Sequence, residues 1–168
     1  MPCDAPLQFE ARRFLVDYEK NYTSFAKISY DDTNKRTREV EEIRVGEERE
    51  FYDILRLYNT GKEYRVNLRD RKCNVTSLTG PLIPAGVPPD AKYDSEFVIG
   101  PVNMANEHVD CKAFYGKTRD EGDDYFIIVS SPSCLPVSAG FNSKRFGFVS
   151  IRYFDIVNGI ADPTVFDA

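Results

Sequence analysis

The sequence contains no tryptophan and a single histidine, His108, and none of its four cysteines falls in a C-x-x-C pair. A Ser-His-Asp triad, or a zinc site with two imidazoles, would have to be built on His108 or not at all. Within Asn106-Glu107-His108 that residue reads as a loop histidine without a catalytic role. The missing C-x-x-C argues against a zinc ribbon and against a redox motif. No G-x-S-x-G, P-loop or Gly-rich dinucleotide fingerprint occurs, so nothing in the sequence supports nucleophilic catalysis. No apolar run approaches the ~20 residues that a membrane-spanning helix requires. Positive charge is also short, with 22 Lys and Arg against 27 Asp and Glu, a net charge of -5. That is the wrong sign for a general nucleic-acid binder, whose affinity rests on paired phosphates.

What is present suits one soluble globular domain spanning residues 1–168. The chain has no internal repeat, and at this length roughly 70% of the unfolded surface can be buried. Hydrophobic residues make up 42% and charged residues 29%, a balance that argues against disorder. Cys3, Cys73, Cys111 and Cys134 allow three pairings. Two N-glycosylation acceptors, Asn21-Tyr22-Thr23 and Asn74-Val75-Thr76, accompany them. An even cysteine count with two acceptors favours the secretory route, and so an extracellular or lysosomal protein.

Strand-like patterns dominate. Residues 9–18 place Phe9, Ala11, Arg13 and Leu15 on one face, and segments 25–30, 35–45, 50–58 and 63–68 follow between turn formers. Four of the ten prolines lie in 81–89, which therefore reads as a connector, leading into a short helix over 89–97. Segments 112–117 and 125–131 flank the acidic turn at 120–124 as a hairpin. Residues 145–156 form a long final strand, with Phe146, Phe148 and Phe154 on one face and Val149, Ile151 and Tyr153 on the other. A strand apolar on both faces needs a second layer or a cavity beside it.

Calcium takes 6–8 oxygen ligands. The acidic groupings are Asp31/Asp32/Asn34, Asp120/Glu121/Asp123/Asp124 and Asp155/Asp162, none with EF-hand spacing. The first two read as solvated turns. The pair Asp155 and Asp162 is the metal candidate, because Asp155 ends an apolar strand and needs partners there. Basic residues cluster at Arg69, Arg71 and Lys72 and at Lys35, Arg36 and Arg38. They read as solubilising surface, with peripheral contact to anionic membranes as the functional alternative at ~1 kcal/mol per residue.

Several blocks resemble the ependymins and ependymin-related proteins. Cys3-Asp4-Ala5-Pro6-Leu7-Gln8-Phe9-Glu10 is similar to the family's C-x-A-P-x-Q-W-E start, and Ser29-Tyr30-Asp31 with Asn34 to its S-Y-D-x-x-N turn. Segment 51–58 resembles its aromatic-rich strand, Phe97-Val98-Ile99-Gly100 its Y-S-I-G-G, and Cys134-Leu135-Pro136-Val137 its C-Y-P-V. The strongest block is Tyr153-Phe154-Asp155-Ile156, Gly159-Ile160 and Asp162-Pro163-Thr164-Val165-Phe166, similar to F-F-D-I-x-x-G-I-x-D-P-x-V-F. The blocks occur in family order over nearly the whole chain.

The resemblance implies a mainly β fold: a curved antiparallel sheet forming a half-barrel, with a few helices covering a deep apolar pocket, like bacterial lipoprotein carriers. It also implies a secreted or lysosomal glycoprotein, homodimerisation, calcium association and binding of hydrophobic molecules such as lipids. The family's disulfide pairing carries over to Cys3 with Cys134. Cys73 matches a family position whose usual partner lies in a tail absent from these 168 residues, and Cys111 has no family counterpart; a Cys73–Cys111 bridge is the resulting expectation. Phe9 stands where the family often has Trp.

Two readings follow. The first is a non-enzymatic carrier whose pocket is lined by Phe51, Leu55, Leu57, Val66, Ile99, Phe114, Phe126, Ile128, Phe146 and Phe148. Alternation fixes that one set of each strand faces inward without saying which. The second is a calcium-associated matrix or cell-adhesion glycoprotein whose interior is filled by its own side chains.

Overall fold

In a computed structural model, which describes residues 2–119, 122–145 and 147–168, the chain forms eleven strands. They are β1 (Gln8–Asp17), β2 (Tyr22–Asp31), β3 (Arg36–Val45), β4 (Glu48–Leu57), β5 (Lys62–Asn67), β6 (Cys73–Ser77), β7 (Lys92–Ile99), β8 (Val109–Lys117), β9 (Asp124–Ser130), β10 (Pro136–Ser143) and β11 (Gly147–Asn158). All pair antiparallel in one curved, unclosed sheet, in the order β6-β5-β4-β3-β2-β1-β11-β10-β9-β8-β7. The expected mainly β class holds. Its helices do not: among the described residues the helical structure is two short 3-10 turns, Ala105–Glu107 and Pro163–Phe166.

Two runs of neighbouring hairpins, β1 to β6 and β7 to β11, are joined through the β1–β11 pairing. Turn chemistry sets their ends. At the β2–β3 turn, the fully buried Asp31 accepts hydrogen bonds from Gln8 Nε2 (3.0 Å), Asn34 N (3.1 Å), Asn34 Nδ2 (2.9 Å) and Arg36 Nε (2.8 Å). Burial pushes this carboxyl up, and the bonds from Asn34, Gln8 and Arg36 outweigh it and hold it at about 2.

The segment expected to be helical over 89–97 is instead the edge strand β7, paired with β8. Before it, the proline-rich connector at 78–91 crosses one face of the sheet, called here the inner face. Leu82 and Ala85 pack there with Phe9, Ala11 and Tyr30, and Val87 and Ala91 pack with Phe114, Tyr125 and Val129. The connector thus occupies the place the resemblance gave to helices. Backbone N–H of Ala85 donates to Tyr30 Oη (3.1 Å), and the Phe9 and Tyr30 rings lie 4.9 Å apart. A disulfide joins Cys3 to Cys134.

The C-terminal turn packs against the outer face. Phe166 is buried there, with the Arg36 guanidinium 4.2 Å from its ring centre. Arg38 makes a two-pronged pair with Asp53 (2.8 and 2.7 Å) and donates to the Val165 carbonyl (3.0 Å). Arg36 and Arg38 therefore hold the C-terminal turn against the outer face.

A bulge in β11 sets which side chains reach the interior. Between the pairs Arg12–Phe154 and Glu10–Val157 the register slips by one residue, and Asp155 takes a left-handed conformation (φ 50°). Tyr153 and Ile156 both pack inward as a result, against the cluster of Phe9, Ala11 and Tyr30.

Candidate functional site between the inner face and the connector

Two chambers lie side by side beneath the connector. The larger, about 640 Å³, is lined from the sheet by Tyr125, Ile127, Ala139, Phe141, Ile151 and Tyr153 and from the connector by Ile83, Pro84, Ala85, Gly86, Pro88 and Pro89. Its lining is predominantly apolar, with Lys117 and Arg119 among its polar residues. The second, about 440 Å³, is lined by Phe9, Arg13, Ile28, Thr37, Glu39, Arg56 and Tyr58 and by connector residues 78–83. Tyr153, Ile83 and Ala85 line both, so the two adjoin at these residues. Burial raises the Tyr153 phenol above its ordinary range, so it stays neutral and donates or accepts as a hydroxyl.

The smaller chamber has a charged floor. Arg13 Nη1 lies 3.1 Å from Glu39 Oε1, and Arg13 Nη2 lies 3.7 Å from Glu41 Oε2. Arg56 Nη1 is 3.5 Å from the same Glu39 oxygen, and Arg56 Nε is 2.8 Å from Glu63 Oε1. Arg65 extends the ladder at 3.6 Å from Glu63, and Ser24 Oγ donates to Glu41 at 2.9 Å. Burial pulls the Arg56 guanidinium down, and Glu39 and Glu63 more than restore it. Arg13 Nε and Thr37 Oγ1 are buried without a hydrogen-bond partner, as is Tyr125 Oη beside the larger chamber.

Most of the expected lining set lies on the outer face. Phe51, Leu55 and Leu57 alternate with Ile54, Arg56 and Tyr58, and Arg56 and Tyr58 are the ones that face the chamber. Val66 is in register with Asp53, also outward. Phe126 and Ile128 alternate with the inward Tyr125 and Ile127, and Phe148 is outward by the same count from Ile151. Ile99 is half-exposed at the end of β7 and lines neither chamber. Phe114 does point inward, but it is fully buried core against Val87 and Ala91 rather than wall. Phe146 lies outside the described residues.

Other expectations also move. Cys73 and Cys111 are both free, one exposed on β6 and one buried on β8, at opposite ends of the sheet order. The expected bridge between them is therefore corrected, while the Cys3–Cys134 bridge is present. Asp162 caps the last 3-10 turn, accepting from Thr164 N (3.0 Å) and Thr164 Oγ1 (2.7 Å), which lowers its carboxyl. Asp155 lies 3.6 Å from Arg12. Among the described residues no group of three acidic, His or Cys side chains gathers that could hold a metal ion; Asp120 and Glu121 lie outside the described residues. The acceptors Asn21 and Asn74 are both exposed. His108 Nδ1 contacts the Pro101 carbonyl (2.9 Å) and lines neither chamber.

Arg13, Glu39, Arg56, Tyr58 and Tyr153 escaped sequence reasoning as site residues. The available signal was Arg13, a charge set among Phe9, Ala11 and Leu15 on one face of β1.

A family model described as Ependymin matches residues 46–168. The chain is 27% identical to mammalian ependymin-related protein 1 of Rattus norvegicus, over 98% of this chain and 73% of that protein. It is 23% identical to ependymin of Notemigonus crysoleucas, over 98% of this chain and 76% of the relative. Among solved structures, an uncharacterized conserved protein from Thermus thermophilus shares the fold at a TM-score of 0.59 and 7% identity, covering 97% of this chain and 85% of that one.

Proposed function

This chain belongs to the ependymin family, and from that premise we propose that it is a non-enzymatic carrier of hydrophobic molecules, held between the inner sheet face and the proline-rich connector. The observation that carries this reading is the apolar chamber of about 640 Å³, a size that takes a small ligand or one long acyl chain. An acyl chain entering it leaves water at about 0.8 kcal/mol per buried CH₂. Carriage needs no chemistry at the bound molecule, and the walls offer packing and orientation.

The carrier works outside the cytosol. The Cys3–Cys134 disulfide suits an oxidising compartment, and both glycan acceptors stand exposed at Asn21 and Asn74. The test is lipid extraction and mass spectrometry of the protein secreted from eukaryotic cells. A stoichiometric co-purified lipid is the expected result. A protein that emerges empty, and then takes up no lipid from vesicles, contradicts the reading.

A further inference from the structure

The two chambers lie on either side of one seam in the sheet. Strands β1 to β4 supply Phe9, Arg13, Ile28 and Arg56 to the smaller, and β9 to β11 supply Ile127, Ala139 and Ile151 to the larger. The seam is the β1–β11 pairing, where Arg13 stands directly opposite Tyr153. Among the described residues, Tyr153 is the one sheet residue that lines both chambers. Above it, Ile83 and Ala85 of the connector also line both. Ala85 is pinned there: its N–H donates to Tyr30 Oη (3.1 Å), and Ala85 and Tyr153 pack on the same cluster of Phe9, Ala11 and Tyr30.

A sheet residue below and a pinned connector above make a partition, and its two sides differ in chemistry. The larger chamber is predominantly apolar, whereas Arg13, Glu39 and Arg56 line the smaller. Hydrocarbon laid over those side chains would take water from charged groups, which is costly. The smaller chamber also has an apolar wall of Phe9, Ile28 and Leu82, on the far side of Tyr153 from the larger one. We propose, resting on the carrier reading above, that Tyr153 is a specificity-determining residue. Its side chain ends the apolar chamber and so sets the longest acyl chain that the protein buries. The bulge at Asp155 serves this placement, since it turns both Tyr153 and Ile156 inward.

The test is a chain-length series with one head group. Saturated fatty acids from decanoate to behenate, each below its aggregation concentration, displace N-phenyl-1-naphthylamine from the full chain at pH 7.5. Affinity climbs about fourfold with each CH₂ buried and stops climbing at the length that fills the chamber. Tyr153→Ala moves that break to a longer chain. At about two carbons past the wild-type break, its gain over wild type is on the order of tenfold. Tyr153→Phe keeps the ring and the wild-type break. Tyr153→Leu retains apolar contact with Phe9 and Tyr30, moves the break in the same direction, and replaces Tyr153→Ala if that variant does not fold. Thermal unfolding establishes which variants are folded; a purely structural role for Tyr153 lowers Tm with no change in chain preference. Ile28→Trp fills the smaller chamber, restores the wild-type break in either background, and by itself leaves that break in place. A wild-type affinity that climbs to the longest chain, a break unmoved by Tyr153→Ala and Tyr153→Leu, or a shift that Ile28→Trp does not reverse overturns the assignment of Tyr153 alone. No displacement at any chain length overturns the carrier reading, and this assignment with it.

Discussion

Cys3 and Cys134, 131 residues apart in sequence, close a disulfide beside the connector's Gly86. A Cβ on Gly86 would lie 3.0 Å from the Ala5 nitrogen and 3.4 Å from the Cys3 carbonyl. The N-terminal segment, the connector and the start of β10 are thereby packed at one corner of the apolar chamber. Replacing both cysteines by serine lowers unfolding free energy by about 2–5 kcal/mol, the usual cost of a long-loop disulfide, read by guanidinium denaturation. A loss within error would mean that the N-terminal segment is held by packing alone.

The two remaining thiols provide an independent check on connectivity. Alkylation of the native protein modifies the exposed Cys73 and spares the buried Cys111. Denaturation without reductant exposes Cys111 as well, and Cys3 and Cys134 react only after reduction. Peptide mapping that finds Cys73 joined to Cys111 would contradict this arrangement.

Glycines at two positions admit rings from the neighbouring strand. A Cβ on Gly116 would lie 2.7 Å from Tyr125 Oη and 2.9 Å from its Cζ, while one on Gly140 would lie 2.2 Å from Phe126 Cε1. The second contact is shorter, yet Phe126 is 41% exposed and its ring can swing into water, whereas Tyr125 is 7% exposed and packed in the core. Gly116→Ala therefore costs about 1–3 kcal/mol, as overpacking does, and Gly140→Ala costs less. Equal losses in Tm would show that Tyr125 yields as easily as a surface ring.

Asp31 makes stability depend on acidity. Its carboxyl is held at about 2 in the folded chain, below its unfolded value of 3.8. A depressed carboxylate contributes stability that is complete above the unfolded pKa and is lost as pH falls through the folded one. The shift corresponds to about 2 kcal/mol. The stability gap between wild type and Asp31→Asn is thus widest above pH 5 and narrows between about pH 4 and pH 2. A gap that stays constant over that range would mean that Asp31 contributes shape and not charge.

Strands β1 to β5, β8, β9 and β11 were legible in the sequence because alternation and turn formers mark them, and the connector because prolines cannot sit in an interior ladder; β6 and β10 were not read as strands. Which face turned inward was not legible. In β9, Tyr125, Ile127 and Val129 are as apolar as Phe126 and Ile128, and only the connector packed on one side distinguishes them. Strand β7 was misread as helix because a bulge between Tyr93 and Ser95 breaks its alternation just after Pro88-Pro89. The ionic ladder depends on register: Arg13, Glu39, Arg56 and Glu63 meet only once the five strands β1 to β5 are aligned. The Cys73–Cys111 expectation failed for the same reason, since sheet order separates residues that arithmetic leaves over.

The central claim is that hydrophobic ligands occupy the inner face. It is tested most directly by titrating a neutral fluorescent apolar probe, N-phenyl-1-naphthylamine, into wild type, Ala139→Trp and Phe148→Ala. Ala139 lines the apolar chamber, and Phe148 lies on the outer face at 41% exposure. Filling the chamber at Ala139 abolishes saturable binding, while Phe148→Ala leaves the dissociation constant within about twofold of wild type. Retained binding in Ala139→Trp together with its loss in Phe148→Ala would place the ligand on the outer face and contradict the account.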